Sequence, residues 1–118
     1  MDECIFCKII SGELDCDKVY EDDDVLAFRD MFPQSPVHTL IVPKKHYSDL
    51  SDNIPEEILG KVFSAVSKVA KLEGIEDSGY RIISNKGAHA QQSVFHLHVH
   101  VHGGARMHID SPIEGAVK

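Results

Sequence analysis

The segment Phe95-His96-Leu97-His98-Val99-His100-Val101-His102 constrains this chain more than any other. Apolar and imidazole side chains alternate along it without a break, and an extended strand sends successive side chains to opposite faces. Leu97, Val99 and Val101 are therefore expected on a buried face, with four histidines in a row on the other. At a rise of ~3.3 Å per residue, neighbouring histidines stand about 7 Å apart, close enough for one phosphate or one metal ion to touch two of them. A purification tag would lie at a terminus and would not alternate with Leu and Val. Two chemistries stay open: H-x-H on a strand chelates zinc, and neutral imidazole suits attack on phosphorus and proton donation near neutral pH.

The rest of the chain narrows the partners. Twelve Lys and Arg against 19 Asp and Glu give a formal charge of −7, which opposes a reader of the phosphate backbone, since counterion replacement needs many cations. The expected partner is a small molecule or a protein, not a nucleic acid. Apolar runs such as Val25 to Phe28 are too short to span a bilayer or form a signal-peptide core, so a soluble cytoplasmic protein is expected, without a membrane partner. With 118 residues, no repeat and no Pro/Ser-rich linker, residues 1–118 read as one domain.

The order of elements reads α, β, β, β, α, β, β. Glu3 to Ser11 suits a short helix closed by Gly12. Lys18 to Glu21 and Val25 to Asp30 read as a hairpin across an Asp-rich turn, and His38 to Val42 as a buried third strand ended by Pro43. A long helix opens near Pro55, Glu56 and Glu57, repeats Ile58, Val62, Val66 and Val69 at helical spacing, and stops at Gly74. Tyr80 to Ser84 and Val94 to His102 read as the last two strands, separated by a polar loop. Short links on each side of one long helix imply an α+β fold: a five-stranded antiparallel sheet with one long helix and a short N-terminal helix.

Gln92-Ser93-Val94-Phe95 followed by the histidine row and Gly103-Gly104 resembles the signature of the histidine triad (HIT) superfamily. Ile5-Phe6, Ala27-Phe28-Arg29-Asp30, His38 to His46 and Gly79-Tyr80-Arg81 extend the resemblance over nearly the whole chain, nearest to the Hint, or protein kinase C inhibitor-like, nucleotide-binding branch. It implies a HIT-like fold and a purine nucleoside phosphoramidase, a hydrolase acting on the α-phosphate of AMP or GMP conjugates through a nucleotidyl-histidine. His98 would then be the nucleophile, with His100 on the phosphate and leaving-group side and His38 supporting the cluster. Asn85 and Ser93 match residues that hydrogen-bond the phosphate or leaving group. Asp30 matches the acid that accepts the ribose hydroxyls, and Ile5, Phe6, Ile9, Phe28 and Met31 match the slot for the purine. The resemblance also implies a homodimer, as does an apolar surface on the long helix broader than one small sheet covers.

Cys4-x-x-Cys7 admits three readings from its residues alone. It is a redox pair, a metal half-site or two packed small side chains, and no strand precedes it as a thioredoxin-like motif requires. The resemblance implies a structural Zn2+ held by Cys4, Cys7, His46 and His96, with no organic cofactor. The sequence departs from the family pattern in three places. His102 stands where an aliphatic residue usually ends the triad, Gln91 stands where a glycine lets backbone amides approach the phosphate, and the tail Met107-His108-Ile109-Asp110 matches only at its start. Two other functions remain: a nucleotide-binding adaptor with residual hydrolysis, and a zinc protein that uses the row only as ligands.

Overall fold

The computed structural model describes residues 4–108. The expected helix residue Glu3 and the tail residues Ile109 and Asp110 lie outside that range. Helix α1 (Ile5–Ile10) opens on Cys4, whose sulfur accepts from the Cys7 amide at 3.3 Å, and Gly12 follows it in the left-handed conformation. Strands β1 (Lys18–Glu21) and β2 (Val25–Arg29) form the expected hairpin. Its turn is closed by Asp22, whose carboxylate accepts from the amides of Asp24 at 2.8 Å and Val25 at 2.9 Å. Strand β3 (Val37–Pro43), helix α2 (Glu56–Leu72), β4 (Tyr80–Ile83) and β5 (Val99–Gly103) complete the order. The sheet runs β1-β2-β3-β5-β4, antiparallel throughout, and the architecture is the expected α+β. No helix among the described residues is long and apolar enough to cross a membrane.

The two faces of the sheet bury different things. Behind it, Val25, Ala27, Ile41, Val99 and Val101 pack against Val62, Ala65, Val66, Val69 and Ala70 of α2, the helical stripe that its i, i+3, i+4 spacing predicts. Trimming a fully buried member such as Ile41 to Val removes one methylene from a filled core, at about 1 kcal/mol. In front, Leu26, Phe28, Leu40 and Val42 pack under Phe6 of α1. Thr39 points backward and donates to Glu73 at 2.7 Å; Glu73 also takes both prongs of Arg29, at 3.1 and 2.7 Å. That link pins the end of α2 to β2 and β3 where Asp30 and His38 emerge.

The expected fifth strand, Val94 to His102, begins only at Val99. Its ladder to β3 ends at Val99 opposite Ile41, and its ladder to β4 at His100 opposite Ile83. Ahead of Val99 other bonds replace the ladder: the Leu97 amide donates to the Tyr47 carbonyl at 2.6 Å, and the Ser84 hydroxyl to the His98 carbonyl at 2.9 Å. The alternation holds for the apolar side, since Leu97, Val99 and Val101 are all buried. The histidine side is covered at its first end, since His96 and His98 are buried as well. The closing Gly103-Gly104 allows close approach. A Cβ at Gly103 would meet Ile75 Cδ1 at 2.7 Å, and one at Gly104 would meet Pro36 at 2.9 Å.

Candidate active site and metal centre

Four oxygen atoms or amides decide where the protons of the histidine row sit. Among the described residues, the His96 carbonyl is the group bonded to His98 Nδ1, at 2.7 Å. A carbonyl only accepts, so Nδ1 carries the proton and Nε2 keeps its lone pair. The ring is held further by Phe6, edge to face at 5.1 Å between centres. Burial pushes its pKa down, so the bare nitrogen persists at neutral pH.

His38 runs the other way. The Gln34 amide donates to His38 Nδ1 at 3.1 Å, which leaves the proton on Nε2. That proton points at His100 Nδ1, 2.9 Å away, with Asp30 Oδ2 at 3.5 Å. His100 accepts through Nδ1 and must carry its own proton on Nε2. Burial and the neighbouring imidazoles of His98, His38 and His102 push His100 down to about 4. The rings of His98 and His100 lie 4.9 Å apart, a bare nitrogen beside a protonated one. That pair can attack an electrophile and donate a hydrogen bond to it at the same time.

The other matched residues are less gathered. Asp30 lies just past β2; its Oδ1 closes a turn by accepting from the Phe32 amide at 2.8 Å, and only Oδ2 faces the row. Phe6 and Phe28 meet edge to face at 5.6 Å and are both buried, with Ile9 half-buried beside them. Ile5 is more exposed, and Met31 is 82% exposed. Asn85 is half-buried just after β4, and Ser93 is exposed. Gln91 takes φ +59°, the region a glycine would occupy, so the backbone turn survives the substitution.

Residues with no periodic signal shape this loop. The Gln92 carboxamide accepts from the Gly87 amide at 2.9 Å and donates to the carbonyls of Ser48 at 2.8 Å and Val94 at 3.2 Å. It thereby binds the loop before β5 to the segment that carries His46. Ser84 and Ser35 carry no signal of their own in the sequence, and Gln92 is marked only by its place in the signature beside the row.

Cys4, Cys7, His46 and His96 come together at the first end of the row, with one ligand atom of each within 4.8 Å of the others. His96 Nε2 donates to the Pro43 carbonyl at 2.9 Å, so its lone pair is on Nδ1. That nitrogen lies 3.4 Å from Cys4 Sγ and 3.6 Å from Cys7 Sγ; His46 Nδ1 lies 3.3 Å from Cys7 Sγ. A sulfur at ~2.3 Å and a nitrogen at ~2.05 Å from a tetrahedral Zn2+ are separated by about 3.6 Å. Donor types and spacings therefore fit zinc. Burial and the adjacent Cys4 push the Cys7 thiol up to about 11, so an entering cation displaces protons.

A family model of the HIT domain matches residues 11–107. The purine nucleoside phosphoramidase of Escherichia coli strain K12 is 44% identical over 105 residues, covering 87% of this chain and 88% of that protein. Protein HitA of Neisseria gonorrhoeae is 42% identical over 105 residues, covering 87% of this chain and 97% of its own. A solved HIT family hydrolase from Clostridium thermocellum superposes with a TM-score of 0.87 at 45% identity, covering 92% of this chain and 96% of the other.

Proposed function

Because the chain belongs to the histidine triad family, we propose that it is a hydrolase of purine nucleoside phosphoramidates and related nucleotide conjugates, working through a nucleotidyl group on His98. The observation that carries this reading is the proton pattern: His98 offers a bare Nε2 beside the protonated Nε2 of His100. His98 Nε2 forms a bond to the α-phosphorus as the bond from phosphorus to the leaving nitrogen breaks. The proton for that nitrogen comes from the paired imidazoles of His38 and His100, which take one up when an anionic phosphate binds. Water then attacks the phosphorus, the bond to His98 breaks, and that pair regains its proton.

His38 orients His100 through the 2.9 Å contact. Asp30 receives the ribose hydroxyls through Oδ2, and Asn85 and Ser93 hydrogen-bond the phosphate or leaving group. Phe6, Phe28 and Ile9 form the wall for the purine, with Ile5 and Met31 at its exposed margin. Cys4, Cys7, His46 and His96 hold a structural Zn2+, which supplies no chemistry to the reaction and fixes α1 to the row. The free thiols fit a reducing cytoplasmic compartment. A second copy of the chain covers β4, an edge strand whose Ile82 shares the α2 side of the sheet with Val101, together with Phe63 of α2; both side chains are about 40% exposed.

The test is turnover of adenosine 5′-phosphoramidate with intact-mass analysis after rapid denaturation. Wild type should show a transient gain of one adenylyl group. His98→Asn, chosen because its amide can still donate to the His96 carbonyl in a buried place, should lack it and lose several orders of magnitude in rate. Near-normal turnover in that variant, or a mass gain that survives it, would overturn the mechanism.

A further inference from the structure

His102 is not needed by the reaction above, yet it is placed with care. It sits directly opposite His38 in the β3–β5 register. Its ring centre lies 4.1 Å from that of His38 and 5.8 Å from that of His100, while His38 and His100 are 5.1 Å apart. One ring nitrogen from each of the three lies within 4.8 Å of the others. A point exists about 3 Å from all three ring centres, which is the reach of an imidazole bound through one nitrogen at ~2.1 Å.

We propose that His38, His100 and His102 form a second metal site, open on one side, for a divalent transition cation such as Zn2+. The 2.9 Å between His38 Nε2 and His100 Nδ1 is close to the ~3.0 Å edge of two nitrogens ~2.1 Å from one ion at a right angle, and about 0.5 Å short of the ~3.4 Å tetrahedral edge, which a small rotation of either ring supplies. His102 is oriented as metal-bound histidines are. The single hydroxyl proton of Ser35 goes to the Val37 carbonyl, so Ser35 Oγ accepts from His102 Nδ1–H at 2.9 Å. The Nε2 lone pair is thereby fixed, and an N–H given to an oxygen is the usual second contact of a ligating imidazole. The Asp30 carboxylate, 3.5 Å from His38 Nε2, adds negative charge beside the ion.

The donor set states the cation class. Three imidazoles without a thiolate suit Zn2+, Co2+, Ni2+ or Cu2+ and not Mg2+ or Ca2+, and three ligands leave positions for water or a phosphate oxygen. A cation on His38 Nε2 sends that ring's proton to Nδ1 and releases the Gln34 amide from it. The cation and the His38-to-His100 hydrogen bond are therefore mutually exclusive. If the row hydrolyses nucleotide conjugates as proposed above, the cation holds it inactive.

Cobalt titration separates the two centres, because a thiolate–cobalt bond gives a charge-transfer band and an all-imidazole site gives only weak visible bands. Wild type should bind about two Co2+ per chain, one of each spectral kind. His102→Leu should keep the thiolate band and bind the second ion at least roughly 10- to 100-fold more weakly, since losing a ligand costs no less than losing the group that orients one. Cys4→Ser with Cys7→Ser should keep the weak bands alone. Equal stoichiometry and affinity for the second ion in wild type and His102→Leu, with both proteins folded by thermal unfolding, would overturn the site. A separate arm measures turnover: Zn2+ that fills the second site should inhibit wild type and spare His102→Leu. No turnover in either protein, with the cobalt result as expected, would sink the hydrolase reading and leave the site standing.

Discussion

The two ends of the histidine row are built from the same residue type on one continuous segment, yet they present opposite nitrogens. At the first end the Pro43 carbonyl takes the Nε2 proton of His96, and Nδ1 turns to two sulfurs. At the last end the Ser35 hydroxyl takes the Nδ1 proton of His102, which leaves the lone pair on Nε2 of a ring whose centre is 4.1 Å from that of His38. His98, between them, gives its Nδ1 proton to the His96 carbonyl and keeps a bare Nε2. A histidine's role here is set by the oxygen that holds its spare proton, more than by its place in the motif. One end closes around thiols, the other stays open beside the reacting pair.

The contrast is broken most strongly at the thiol end. If Cys4, Cys7, His46 and His96 hold zinc, metal at ~1,000 times its Kd adds about 4 kcal/mol of stability, or roughly 10–20 °C in Tm for a chain this size. Chelation, or Cys4→Ser with Cys7→Ser, should lower Tm by that much and loosen His98 through His96. Metal analysis should find close to one firmly held zinc per chain, lost in the double variant. A double variant that melts with the wild type would return both cysteines to plain packing and remove the difference between the two ends.

Acid tests the other end. The pKa of His98 is lowered by burial, and that of His100 falls to about 4 from 6.5 for the same leading reason. Between those values the unfolded chain binds more protons than the folded one, so stability is full above about 6.5 and declines as the pH falls toward 4. Denaturant melts of metal-free protein at a series of pH values should show that decline, and His100→Gln should reduce it in part, since burial also lowers His38, His96 and His102. A slope indifferent to His100→Gln would mean that the fold does not hold His100 neutral.

The sequence made some of this legible and hid the rest for identifiable reasons. Period-two alternation located the row and its buried partners, Leu97, Val99 and Val101, because a strand's side-chain period does not depend on context. It did not show where the ladder stops. β5 starts at Val99 because its pairing with β3 reaches only Ile41, beyond which His96 bonds the Pro43 carbonyl and Leu97 the Tyr47 carbonyl. Nor does alternation distinguish an open face from one covered by another element. Phe6 lies over His98, which is why a residue read as facing solvent is 7% exposed. The Cys4-x-x-Cys7 spacing marked half of a metal site, while His46 and His96 entered it only by family resemblance, because their approach depends on long-range folding. Gln92, Ser84 and Ser35 carry no periodicity at all. Each is an ordinary polar residue until the backbone groups it bonds are known.

The smallest effect should come from Ser35, and it probes the comparison where it is most open to substitution. The proton holder at the first end is a backbone carbonyl, which no side-chain change removes; at the last end it is a hydroxyl. Ser35→Ala deletes the acceptor of His102 Nδ1–H and the donor to the Val37 carbonyl. Both groups are only partly buried, so water replaces much of what is lost, and the expected cost is about 0.5–1.5 kcal/mol. Freed of its anchor, the His102 ring exchanges its proton between nitrogens, which 15N chemical shifts of the imidazole report directly. Wild type should show one tautomer at His102, protonated at Nδ1, and Ser35→Ala a mixture, while His96 keeps its Nε2 proton in both. A single unchanged tautomer at His102 in Ser35→Ala would mean that the two ends do not differ in what holds their protons.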